Sequence, residues 1–136
     1  MQTIRSSDRS LRVATLVYLA AFVLHNADHA RRGVDATPEP VVWAGTAVAM
    51  LTAVLATLVF TSHGLSSRFA AFAGAAIAIG VSITHLTPTS TVLTDPLTLS
   101  GISPMSWIAV LGEITTAAVL ATVGWKTMQA ETLRRQ

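Results

Sequence analysis

The chain contains no cysteine. Disulfides, thiolate metal sites, iron–sulfur clusters and a cysteine nucleophile are therefore excluded. Charge is scarce as well. Only 12% of the 136 residues are Asp, Glu, Lys or Arg, about half the roughly 25% of a soluble globular domain. With 51% hydrophobic residues and a mean hydropathy of +0.57, this excludes an ordinary water-soluble domain and a disordered chain. The sequence has no Gly-rich phosphate loop, no Gly-x-Ser-x-Gly elbow, no internal repeat and no low-complexity tract. A pI of 9.9 does not imply nucleic acid, because the formal net charge is only +2 and the basic residues lie mostly in the tails.

Long apolar runs are what the chain has instead. A bilayer core about 30 Å thick needs roughly 20 mostly apolar residues in a helix. Val41 to Thr61 has no ionisable residue, Phe69 to Leu86 has none before His85, and Pro104 to Trp125 has only Glu113. A fourth run, Val13 to Leu24, is shorter, but its helical pattern continues through His25, Asn26, Ala27, Asp28, His29 and Ala30 to Arg31. A signal peptide is the competing reading, with Arg5, Arg9 and Arg12 before a short apolar stretch. No small-x-small cleavage site follows Leu24, so an uncleaved helix is expected. The sequence thus predicts an all-α, four-helix transmembrane bundle. Residues 1–136 form one integral membrane domain, with helices near 10–31, 41–62, 67–86 and 104–127.

Breaks between the helices have clear chemistry. Pro40 can open the second helix and Ser103–Pro104 the fourth. His63 and Gly64 can close the second. Thr87 to Ser103 is a long connection for so small a protein, a length that often marks function or mobility. With four spans, both tails and the middle loop share one side. That side carries Arg5, Arg9, Arg12, Arg68, Lys126, Arg134 and Arg135, and the other only Arg31 and Arg32. The positive-inside rule places the N and C termini in the cytoplasm. Trp43, Trp107 and Trp125 fall near helix ends, where interfacial anchors belong. The Arg-over-Lys and Ala-rich bias suggests a GC-rich bacterial genome, hence a multi-pass protein of the bacterial inner membrane.

Ionisable groups within membrane spans are costly, so each is a candidate functional residue. Here they are His25, Asp28, His29, His85 and Glu113, from three helices. At 100° per residue His25, Asp28, His29 and Arg32 share an arc of roughly 100°. Two histidines at i and i+4 can reach one metal ion. Asp28 can be a further ligand, orient an imidazole, or pair with Arg32. His85 follows a face of small residues, Gly74, Ala78 and Ser82, and Glu113 shares its face with Ser106, Ala109, Thr116 and Ala117. Such faces suit close helix contacts.

Depth is consistent across the set. His25 lies roughly 10 Å below Arg32, His85 within about 5 Å of its helix end, and Glu113 roughly 14 Å past Pro104. All five fall in the outer half of the membrane, whereas His63 sits at the inner loop as a solvated cap. Four chemistries fit this constellation. One is a buried polar network that fixes helix register. A second is one transition-metal ion, Zn, Cu or Fe, held by His25, His29 and His85 with an Asp28 or Glu113 carboxylate. A third is haem b between His85 and a first-helix histidine, and a fourth is a proton or solute path through Glu113.

The leading functional expectation is a redox or metal-handling membrane protein acting on a lipophilic substrate. One alternative is a non-enzymatic accessory or structural subunit of a larger membrane complex, with Gly74 or Gly80 at the partner contact. Another is a small homo-oligomeric transporter with Glu113 as the coupling carboxylate. The bilayer is the expected partner in every case, and ligand nitrogens within about 4 Å of one another would favour the metal.

Overall fold

The computed structural model describes residues 2–33, 37–88, 93–95, 97 and 102–134, with side chains from Asp8 onward. Its four helices are α1 (Gln2–Arg32), α2 (Glu39–Phe60), α3 (Ser66–Leu86) and α4 (Pro104–Leu133), and no strand occurs among the described residues. All four are long and apolar enough to cross a membrane. Arg135 and the Arg5 side chain, counted above for orientation, lie outside the described residues, as do 89–92, 96 and 98–101 of the long connection.

Local chemistry sets the helix ends. His29, Arg31 and Arg32 fill the last turn of α1, where cations complement the carbonyl end of the helix dipole. Gly33 follows at φ 93°, a left-handed position that suits glycine. Pro40 sits in the first turn of α2 beside Glu39. The exit from α2 differs from expectation: Ser62, not Gly64, takes the positive φ, at 54°. Arg12 Nη2 donates to the Ser62 hydroxyl at 2.7 Å, so a tertiary contact supports that turn. At the start of α4 the Ser103 hydroxyl accepts from the Ser106 amide at 3.3 Å, with Pro104 following it.

Packing runs from α1 to α4 to α3 to α2, with α1 and α2 closing the ring by a thinner contact. The α3–α4 pair approaches at backbone distance. A Cβ on Gly74 would lie 2.7 Å from the Ala117 carbonyl, and one on Gly124 would lie 2.6 Å from the Ala71 amide. Gly74 therefore serves a contact within the chain, not the partner contact that its sequence position also allowed. Tyr18, Leu55, Ile77, Val110 and Leu120 fill the interior. The outer faces keep Leu16, Val23, Met50, Phe72, Ile79 and Ile108 exposed, an apolar surface that water would not tolerate but acyl chains would. Trp43, Trp107 and Trp125 are exposed too, as anchors should be.

The connection after α3 folds back over the end of that helix. The Asp95 amide donates to the Thr84 carbonyl at 2.9 Å and the Leu97 amide to the His85 carbonyl at 3.1 Å. Leu97 is buried against the core. This return places Asp95 above the three histidines.

Candidate metal centre

Three helices deliver the site. α1 carries His25 and His29 one turn apart, α3 carries His85 in its last turn, and α4 brings Glu113. The i, i+4 spacing stacks the two α1 imidazoles on one face. Their ring centroids are 4.8 Å apart, and the His85 ring lies 4.9 Å from His25 and 5.4 Å from His29. His25 and His85 are buried and His29 is half-buried.

One nitrogen from each imidazole falls within 4.8 Å of the other two. His25 Nε2 and His29 Nε2 are separated by 3.1 Å. Tetrahedral coordination with Zn–N near 2.1 Å places ligand nitrogens about 3.4 Å apart. The separations, up to 4.8 Å, exceed this by as much as about 1.4 Å, which the rings must close to reach bonding distance.

The second nitrogen of each ring is already engaged. His25 Nδ1 donates to the Glu113 carboxylate, and His85 Nδ1 donates to the Asp95 carbonyl at 2.9 Å. Both acceptors fix the Nδ1–H tautomer and turn the unprotonated Nε2 towards the cluster, the arrangement usual for ligating histidines, although the His25 lone pair accepts from His29 here. His29 differs. Its Nδ1 faces Arg32 Nη2 at 3.0 Å and the Thr37 hydroxyl at 3.2 Å. Arginine can only donate, so here Nδ1 accepts and Nε2–H donates to His25. Ligation by His29 requires the proton on Nδ1 instead, towards Asp95 Oδ2, 3.7 Å away. His29 is thus the ligand that must rearrange.

The carboxylates divide their work. Asp28 is buried but faces the guanidinium groups. Arg31 Nη2 and Nε reach its Oδ1 at 2.7 and 3.1 Å. Arg32 Nε lies 3.3 Å from Oδ2 without hydrogen-bond alignment, and both of those atoms are otherwise unpartnered among the described residues. Of the sequence alternatives, arginine pairing is the role seen for Asp28, and it stands outside the three-imidazole group. Glu113, 1% exposed, touches the group through His25.

Asp95 was not singled out from the sequence. Its carboxylate takes Arg32 Nη2 at 2.7 Å and Nη1 at 3.3 Å. Burial acts to raise this carboxyl, but the Arg32 hydrogen bonds and charge outweigh it and hold the group below the ordinary Asp range. The available signal was that Asp95 is the sole acid between His85 and Glu113. Arg31 was likewise missed as a strap: its Nη2 also donates to the Ser103 hydroxyl at 2.8 Å, tying the end of α1 to the start of α4. His63 lies at the opposite end of the bundle, where its Nδ1 accepts from the Leu65 amide at 3.2 Å.

No family model, curated protein or solved structure matches the chain. The four apolar helices and the His25–His29–His85 cluster, a group able to hold a metal ion, are what define the molecule.

Proposed function

We propose that this is a multi-pass membrane metalloprotein, set in a bacterial inner membrane with both termini cytoplasmic. In this reading His25, His29 and His85 bind one transition-metal ion near the outer face. The observation that carries it is the convergence of three imidazole nitrogens from two helices in an apolar bundle, where an unused polar group is costly. Two of the three have a hydrogen-bond acceptor on the far nitrogen, which raises ligand basicity and fixes ring orientation. Charge agrees as well. Asp28, Asp95 and Glu113 set against Arg31 and Arg32 leave one net negative charge, which partly offsets a dication.

Imidazole suits Zn, Cu and Fe, while the lack of thiolate in the group argues against a soft Cu(I) site. An ion fits better than haem b. Trans ligation of haem iron needs two imidazoles on opposite sides of a macrocycle, and three rings in mutual contact leave no slot for one. Three protein ligands are also the pattern of zinc sites that keep a position for an exogenous ligand, whereas structural sites use four. The function that follows is metal-centred chemistry on, or capture of, a small molecule at that position.

The test is metal analysis of the purified protein in detergent. Wild type should carry about one equivalent of transition metal. His25→Ala and His85→Ala should each abolish it while helix content by circular dichroism persists. Metal well below one equivalent, unchanged by either substitution, contradicts the reading.

A second reading has its own support: the network is nearly satisfied by its own members. His25 bonds Glu113, His29 bonds His25, His85 bonds Asp95, and the two arginines bond Asp28 and Asp95. On that basis the cluster would only fix helix register in an accessory membrane subunit. It predicts no bound metal in wild type and a lowered thermal midpoint in His25→Ala.

A further inference from the structure

The three histidines form the polar end of a cavity of about 130 Å³ between α1, α2 and α3. Its walls are largely apolar, with Phe22, Val48 and Val81 from the three helices, and carry Asn26, Thr84 and Glu113 beside the histidines. An apolar core cavity of about 150 Å³ accommodates benzene, so the space suits one small ring or a short chain.

Charge narrows the class. Among the described residues Glu113 is the only Asp, Glu, Lys or Arg on the wall, and His25 occupies it. Arg31 and Arg32 do not line the space; both are committed to Asp28 and Asp95. Asn26, which does, spends an amide N–H on the Phe22 carbonyl at 2.8 Å. Among the described residues, no arginine or lysine side chain faces the cavity to pair with an anion, and the one carboxylate there is taken by His25. A molecule that reaches this space through the apolar flank does so in its neutral form.

The mouth is lateral. Ala44 and Gly45 on α2 and Gly80 on α3 border the cavity and are exposed on the apolar flank of the bundle. A Cβ on either glycine would meet nothing within 4 Å. These glycines therefore serve no tight packing, unlike Gly74 and Gly124. What they leave is a gap beside α2, which buries only Val41, Thr52, Leu55 and Val59.

We propose that the cavity binds a small neutral molecule of about benzene size carrying one oxygen donor, of the phenol or short-alcohol class. It enters from the bilayer between α2 and α3 and sets its donor atom towards the ion held by the three histidines. This rests on the metal-centre reading above. The gate is made of missing side chains, so filling it leaves the ligand set intact.

The experiment uses the full-length protein in lipid nanodiscs, loaded with Co²⁺ and titrated with 4-fluorophenol. The visible Co²⁺ bands report on the ligands of the ion. In wild type the bands should shift saturably. In Gly45→Leu and in Gly80→Leu, Co²⁺ should still load to one equivalent, but the half-saturating phenol concentration should rise at least tenfold. Stoichiometric Co²⁺ with bands that phenol never moves overturns the cavity inference and leaves the metal centre standing. Failure of wild type to load Co²⁺ overturns both. A phenol response of unchanged affinity in both leucine variants places the ligand elsewhere and also overturns the inference. Tighter response to 4-fluorobenzoate than to 4-fluorophenol overturns the neutral class.

Discussion

The Glu113 carboxylate meets one hydrogen-bond partner among the described residues, His25 Nδ1, and that contact decides what its removal does. If Glu113 orients a ligating imidazole, Glu113→Gln keeps the shape and weakens the acceptor. Metal affinity should then fall about 10- to 100-fold, the usual cost of losing such a partner, while helix content holds; competition with a chromophoric chelator measures it, and unchanged affinity would count against the role. Asp95 makes a pH prediction in the metal-stripped protein. Its folded value is depressed by Arg32, so its stabilisation is complete above the unfolded value near 3.9 and is lost as pH falls through the lower folded value. Asp95→Asn should cost about 2 kcal/mol at neutral pH, as expected for hydrogen bonds to a charged group. Its thermal midpoint should approach that of wild type below about pH 4. A gap that widens on acidification would reverse the sign and refute the pairing. Sequence made His25, His29, His85 and Glu113 visible as costly groups at one depth. It could not show that Asp95 joins them, because a loop acid carries no periodicity, and only the fold-back of the chain onto Thr84 and His85 brings it there.

At the scale of the helices, the close approach of α3 and α4 is the feature most open to test. Gly74→Ala would set a Cβ 2.7 Å from the Ala117 carbonyl, which only helix separation relieves. A loss of about 1–3 kcal/mol is expected, the range for overpacking a close contact. Gly112→Ala meets nothing within 4 Å and should leave the thermal midpoint unchanged or slightly raised. Equal destabilisation by both would show that the spacing is not set by glycine. The spans themselves were readable as apolar runs because the bilayer demands them. Their ends were less so. α1 begins at Gln2 and α4 runs on to Leu133, beyond the expected 10 and 127. Lys126–Leu133 includes Met, Gln, Ala, Glu and Leu, good helix formers that hydropathy alone does not register.

For the whole molecule, the uneven spread of arginine and the apolar belt together argue for insertion with the His cluster at the outer face. The cysteine-free chain makes this direct to check. Glu39→Cys should react with a membrane-impermeant maleimide in intact cells, and Thr132→Cys only after permeabilisation; the opposite pattern inverts the topology and puts the cluster on the cytoplasmic side. What the molecule encloses is one small polar centre, walled by four helices and lidded by the return of the chain through Asp95. The measurement that bears most directly on that centre is X-ray absorption of the zinc-loaded protein. Three imidazole nitrogens at about 2.0–2.1 Å plus one further light ligand are expected. A shell of oxygen donors with no imidazole multiple scattering, or a spectrum unaltered by His85→Ala, would contradict the account.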